Sequence, residues 1–234
     1  MSRGERKTAM RTIAYVETDF PTKFGIPRQS RLVDTKARLV FVPPYNQPDA
    51  VRGLEEFTHI WLLWEFSENV REDGNWSATV RPPRLGGNVR KGVFATRSPF
   101  RPNPIGLSCV RLEKIVYGEE GPVLYITGAD LMDGTPVYDI KPYVTYSDSI
   151  PEAVGGFSEK VKDYRVEVDI PDELLEIIAP EQRELVYGIL EQDPRPSYQE
   201  DPERVYGMEY AGLEIRFQVK GKKLTVCSIE TEKD

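Results

Sequence analysis

Short runs of aliphatic, β-branched and aromatic residues recur through residue 131. They are "RTIAYV" (11–16), "ARLVFV" (37–42), "HIWLLWEF" (59–66), "GLSCVRLEKIVY" (106–117) and "PVLYITGADL" (122–131). Each has the length and composition of a strand. The last two face each other across "GEEG" (118–121), which predicts a hairpin. Glycine and proline punctuate the rest, and helical periodicity is scarce before residue 150. The pattern predicts a mainly β protein built on an antiparallel barrel or closed sheet. One short helix is expected over "PDAVRGLEEF" (48–57), with Pro48 in its first turn.

Near "AVGGF" (153–157) the texture changes. A strand is expected over 161–170, then two helical pieces within 171–193 broken at Pro180. A hairpin follows, "LEIRFQV" and "LTVCSI", joined by "KGKK" (220–223). Residues 1–154 are therefore expected to form the barrel and 155–234 a smaller α+β domain. A chain of 234 residues has length enough for both.

Charge sharpens this picture. The chain has a net charge of −7, yet residues 74–112 contain no Asp or Glu. The same stretch carries Arg81, Arg84, Arg90, Lys91, Arg97, Arg101 and Arg111. One cationic segment on an acidic protein points to a localised anion site, for phosphate, nucleotide or RNA rather than a membrane surface. Inside it, "FATRSPFRPNPIGLS" (94–108) places Arg97 and Arg101 among three prolines. Each proline fixes φ and removes a donor, so this stretch is expected to be a stiff, irregular loop.

Several chemistries are absent. No G-x-G-x-x-G follows a strand and no P-loop occurs, so neither a Rossmann site nor a Walker site is present. Two cysteines (Cys109 and Cys227) and a single histidine (His59) make no zinc site. Both thiols are expected to be buried and free, and His59, in an apolar strand, to be a core residue rather than a base. "LGGNVRKG" (85–92) reads as an ordinary turn. No apolar run approaches a membrane span and no signal-peptide core opens the chain, so a cytoplasmic protein is expected. "GADLMDGTPVYDIKPY" (128–143) reads as an acidic loop after a strand. It carries Asp130, Asp133 and Asp139; such a loop suits ribose hydroxyls, and any single Asp in such a turn also serves the backbone.

The motifs "PRQ" (27–29), "PYNQPDAVRGLEEFTHIW" (44–61), "VRPPRLGGN" (80–88), "GVFATRSPFRPNPIGLS" (92–108), "DLMDGTPVYDIKPY" (130–143) and "QDPRPSY" (192–198) occur in this order. In that set and order the chain resembles the TsaA/TrmO-type tRNA adenine N6-methyltransferases. The resemblance implies a non-Rossmann β-barrel that binds S-adenosyl-L-methionine. It implies a homodimer with the cofactor near the interface. The implied reaction is methylation of N6 of the threonylcarbamoyl-adenosine just 3′ of the anticodon of tRNA.

Matching motifs puts Pro27, Arg28, Gln29, Ser67, Glu68, Arg97, Leu107 and Asp130, Leu131, Met132 and Asp133 around the cofactor. Ser67–Glu68 stands where the family pattern carries His-Gln. Arg28 or Arg97 would meet the cofactor carboxylate, Asp130 or Asp133 its ribose, and Leu107 its adenine. Tyr45, Asn46 and Tyr198 fall in family motifs as candidates to orient the target amine. Arg84, Arg90, Lys91, Arg101 and Arg195 are the cations expected at RNA. The competing reading is a noncatalytic RNA-binding or nucleotide-sensing barrel, from which methyl transfer to tRNA would distinguish the enzyme.

Overall fold

The computed structural model describes residues 9–69, 76–82, 89–195 and 201–231. Its largest element is a closed antiparallel barrel of β1 (Ala14–Thr18), β2 (Lys36–Phe41), β3 (His59–Glu65), β6 (Ile105–Gly118), β7 (Gly121–Thr127) and β8 (Pro136–Pro142). The short strands β4 (Thr79–Val80) and β5 (Lys91–Gly92) pair outside it. Around the barrel the order is β1-β2-β7-β6-β3-β8.

Strand β6 makes the closure possible. Its first half pairs with β3, Glu65 opposite Ile105 through His59 opposite Arg111. Its second half pairs with β7, and the register shifts between Leu112 and Lys114. An irregularity there bends the strand, as bulges do, so one long strand serves two neighbours.

Side chains alternate with the strand period of two. On β3 the inward residues are Ile60, Leu62 and Trp64. They meet Val16, Leu39, Leu124, Ile126 and Val137 in the barrel core, all at most 1% exposed. This parity puts His59 on the outer face, not in the core as expected. There its Nδ1 lies 2.9 Å from Thr58 Oγ1 and its ring meets the edge of Tyr143. Partial burial and the charges of Arg31 and Arg111 hold its pKa below the ordinary value.

β8 corrects the sequence reading of residues 128–143 as a loop. Prolines at both ends hide the strand, and the ladder avoids them. Ile13 N donates to Val137 O at 2.8 Å, Val16 N to Thr135 O at 3.0 Å, and Tyr143 N to His59 O at 3.0 Å. No bond is asked of a proline nitrogen at these joins. The helix expected over 48–57 is instead two 3-10 turns, Pro48–Val51 and Leu54–Glu56, interrupted where Gly53 adopts a φ of 85°.

Downstream of the barrel come the short helix α1 (Thr145–Asp148), β9 (Glu167–Asp169), α2 (Asp172–Leu175) and α3 (Pro180–Glu191). Then follow β10 (Tyr206–Tyr210), β11 (Leu213–Lys220) and β12 (Lys223–Thr231). The sheet order is β10-β11-β12-β9, with β9 parallel to β12. The strand expected over 161–170 is reduced to β9, and β10 adds a strand that the run pattern does not show. α3 buries Val186, Ile189 and Leu190 against this sheet. Both cysteines are free; Cys109 is buried as expected, but Cys227 is exposed.

This second core also takes in Phe20 and Val33, from the segment between β1 and β2, with Phe24 and Ile26 packed beside them. Ala211 N donates to Asp19 O at 2.9 Å. The segment that carries "PRQ" therefore lies on the second sheet.

Candidate functional site

Four separated stretches of chain, within 23–29, 64–68, 96–107 and 130–135, meet at one mouth of the barrel and enclose a cavity of about 450 Å3. The end of β3, the turn after it, the segment at residues 23–29, the proline-rich loop and the start of β6 form its walls, with the segment after β7 as its floor. That volume lies within the range for small-molecule sites.

The floor depends on a glycine. β7 is followed by Gly128, whose φ of 79° turns the chain away from the ladder. Gly128 N donates to Thr35 O, and Gly128 O accepts from Arg31 N, each at 2.9 Å. A Cβ at Gly128 would meet the Arg31 backbone at 3.3 Å. Segment 28–35 thus crosses the end of β7 closely and holds Arg28 and Gln29 at the cavity.

A buried hydrogen-bond chain backs the wall. Trp64 Nε1 donates to Ser108 Oγ at 3.0 Å, and Ser108 Oγ donates to Asp130 Oδ1 at 2.5 Å. An indole nitrogen can only donate, so the hydroxyl accepts there and its proton is left for Asp130. Ser108 is completely buried. Asp130 also accepts from the backbone N–H groups of Ser30 and of Asp130 itself. Its carboxyl group is shielded from water, which raises its pKa; these hydrogen bonds and the Arg97 charge pull it back.

The sign of that shift gives a first prediction. A raised folded pKa contributes stability that is complete below the unfolded carboxyl range, near pH 3.9, and is lost as pH rises through the folded value. Asp130→Asn should therefore be no less stable than the parent near neutrality, with a flatter dependence of stability on pH above about 4. Urea unfolding at several pH values checks this; an unchanged slope would show that Asp130 does not titrate there.

Arg97 joins two walls. Its Nη1 donates to Gln29 Oε1 at 2.6 Å, and Gln29 Nε2 donates to Arg28 O at 2.5 Å. On the opposite side Glu65 accepts a hydrogen bond from the Tyr138 hydroxyl, whose pKa burial and this carboxylate push up. Leu107, 46% exposed despite its place in a barrel strand, presents an apolar surface with Ile26 and Phe66.

The structure brings together Pro27, Arg28, Gln29, Ser67, Glu68, Arg97, Leu107, Asp130 and Met132 as lining residues. Leu131 points into the barrel core, 1% exposed. Asp133 lies outside this cavity. Its Oδ1 accepts from Thr18 N at 3.0 Å, and it lines a second cavity of about 850 Å3 with Glu17, Lys36 and Lys114. Asn46 Nδ2 donates to Glu120 O at 2.7 Å, at the opposite end of β6 from Leu107. Tyr45 beside it accepts from Arg11 Nη1 at 3.5 Å.

Of the cations expected at RNA, Arg101 lines the cavity and donates to its own loop, at Thr96 O, at 3.0 Å. Arg90 is exposed, with Nε on Thr79 Oγ1 at 2.8 Å, and Lys91 lies over the Phe157 ring. Arg195 is turned inward, its side chain 12% exposed, with Nε 3.0 Å from Asp193 Oδ1. Arg84 and Tyr198, and the first half of "LGGNVRKG", lie outside the described residues. The sequence reading missed Trp64, Ser108 and Glu65. Trp64 and Glu65 stand beside the Ser67–Glu68 position, but only the barrel register sets Trp64 against Gly106 and Ser108 behind Asp130.

Comparison with known proteins bears on what this cavity holds. The family model of the tRNA-methyltransferase O N-terminal domain matches residues 15–149, and that of the TrmO C-terminal domain matches residues 163–232. The chain belongs to the tRNA-methyltransferase O family. A relative from Escherichia coli (strain K12), named tRNA (adenine(37)-N6)-methyltransferase, is 40% identical over 227 residues, 93% of this chain and 96% of that one. A protein of Methanothermobacter thermautotrophicus that carries the name "Probable S-adenosyl-L-methionine-binding protein" is 37% identical over 147 residues. That match covers 63% of this chain and 98% of that one. The crystal structure of TrmO from P. aeruginosa superposes with a TM-score of 0.79 at 32% identity, covering 99% of this chain and 100% of that one. Both the barrel and the second sheet therefore belong to the family fold.

Proposed function

We propose that this protein methylates N6 of the threonylcarbamoyl-adenosine at position 37 of tRNA, next to the anticodon, with S-adenosyl-L-methionine as methyl donor. The family and its named relatives make it an S-adenosylmethionine-dependent tRNA (adenine-N6)-methyltransferase. The observation that carries the reading further is the convergence of nine of the eleven residues expected around the cofactor on a single cavity.

The donor set fits the cofactor. Arg28 and Arg97 provide cations for an amino-acid carboxylate. Asp130 keeps lone pairs for a ribose hydroxyl or an ammonium group. Glu65 and Glu68 give the opposite wall a negative potential suited to a cationic ligand. Leu107, Ile26 and Phe66 offer a face for a purine ring. When bound, the cofactor supplies an electrophilic methyl on a sulfonium. The protein's part in such a displacement is chiefly to position the amine in line and to exclude water.

In one chain Tyr45 and Asn46 are remote from the cavity. A catalytic role for them requires a homodimer, with the cofactor near the contact between copies. Arg90, Lys91 and Arg84 are assigned to phosphate. No described helix is long and apolar enough to cross a membrane; with tRNA as substrate, the cytoplasm is the proposed location.

The decisive experiment incubates the protein with methyl-labelled cofactor and tRNA, with and without the threonylcarbamoyl group. Label should enter the modified tRNA and scarcely the unmodified one. No transfer to either would leave the noncatalytic barrel as the better reading. Arg97→Ala removes a charged hydrogen bond worth about 1.5–3 kcal/mol. Cofactor affinity should fall by about tenfold to a hundredfold in calorimetry.

A further inference from the structure

The acid-free stretch carries exposed aromatic rings as well as cations. Trp76 is 50% exposed and Phe94 71%, and their centroids lie 6.0 Å apart with the planes inclined at 32°. The backbone explains the pairing. β4 and β5 are antiparallel neighbours, and Val93 N donates to Ala78 O at 3.0 Å, which brings the segments just outside this ladder together. Val93, 1% exposed, anchors the 3-10 turn Val93–Ala95, and Phe94 is left facing water. Burial in either core therefore does not explain this pair of rings.

Its surroundings are cationic. Arg81 and Arg90 are exposed on the same two-stranded ribbon, and Arg90 is steadied there by Thr79. The turn that presents Phe94 runs directly into Thr96 and Arg97, which line the cavity. The pair thus stands at the lip of the site.

We propose that Trp76 and Phe94 form a stacking platform for an unpaired base of the anticodon loop, beside the adenosine presented to the cavity; this rests on the tRNA-methylation reading above. Every base has a π face, so an aromatic pair holds a loop nucleotide without reading its edge, while Arg81 and Arg90 meet the flanking phosphates. A second copy of this chain suits the patch less well. A two-fold contact through it would oppose the patch to itself, setting Arg81 and Arg90 against their own copies.

The test measures binding of an RNA hairpin comprising the anticodon arm to the full-length wild type and to Trp76→Ala, Phe94→Ala, Phe94→Leu and Phe94→Tyr. Thermal melts, cofactor affinity and sedimentation equilibrium accompany each. The dissociation constant should rise about tenfold in both alanine variants. Phe94→Tyr should restore it and Phe94→Leu should not, while the melting temperature and cofactor affinity stay unchanged. Wild-type RNA affinity in the alanine variants would overturn the platform. So would full recovery by Phe94→Leu, which needs only an apolar contact, or dissociation of a dimer in Phe94→Ala, which would make the patch a contact between copies. Unaffected variants of an enzyme that still methylates tRNA would sink this inference alone; a wild type that neither binds the hairpin nor methylates tRNA would sink the functional reading with it.

Discussion

Gly106→Ala is expected to weaken S-adenosylmethionine binding at least about a hundredfold and to destabilise the barrel by about 2–3 kcal/mol. Gly106 lies opposite Trp64 in the β3–β6 ladder, and a Cβ built on it falls inside the Trp64 indole. The β3–β6 ladder holds both residues and the β3–β8 ladder holds Trp64 as well, so the ring must leave. Trp64 is 7% exposed, packs on Phe66 at 4.3 Å between centroids, and donates to Ser108. Expelling it therefore disturbs an apolar wall and frees the hydroxyl that fixes Asp130. Leucine in place of Trp64 in the Gly106→Ala background should recover much of the stability but little of the affinity, because leucine fills space without donating to Ser108. Calorimetry and urea unfolding read the two effects separately. Wild-type affinity in a folded Gly106→Ala protein would show that this wall is not part of the cofactor site.

The second large effect concerns Arg195. Arg195→Ala should destabilise the C-terminal unit by about 3 kcal/mol and leave the salt dependence of tRNA binding unchanged. Asp193, its side chain 1% exposed, accepts from Arg195 Nε at 3.0 Å and from the Tyr164 hydroxyl at 2.9 Å, and its own φ is 52°. Removing the guanidinium leaves a buried carboxylate without its cation, the costly half of a broken buried pair. A phosphate-binding arginine behaves in the opposite way: its loss spares stability and lowers the salt slope by about one. Denaturation followed by RNA titration at several salt concentrations distinguishes the two.

That contrast shows what "QDPRPSY" does and does not reveal. Two prolines around an arginine mark a stiff segment, but nothing local states whether the arginine faces water or Asp193. The same limit applies to "DLMDGTP". Its two aspartates are alike in sequence, yet Asp130 lies against Ser108 at the cavity while Asp133 accepts from Thr18 N on the other side of the chain. Three residues in an irregular segment suffice to reverse direction. His59 fails for a simpler reason. In "HIWLLWE" the five positions from Ile60 to Trp64 are all apolar and show no alternation, so only the ladder parity decides that Ile60 points in and His59 out.

Local chemistry was nonetheless sufficient for much of the molecule. β-branched and aromatic runs specified β1, β2, β3, β6 and β7, because such residues pack well on a pleated surface. Glycine and charged residues specified the hairpins at 118–121 and 220–223, where the paired ends are Gly118 with Gly121 and Lys220 with Lys223. The carboxylate-free stretch from 74 to 112 and the order of the motifs are also properties of the sequence alone. Tertiary structure decided the rest. Closure needed β8, whose ladder bonds pass through Thr135, Val137 and Tyr143 around its prolines. The cavity needed residues 23 to 135 folded onto one another, with Phe20 and Val33 anchoring the "PRQ" segment on the second sheet. Propensity and charge act over a few neighbouring residues, so they can be read along the chain. Parity, burial and convergence are set by partners distant in sequence, and only the closed barrel supplies those.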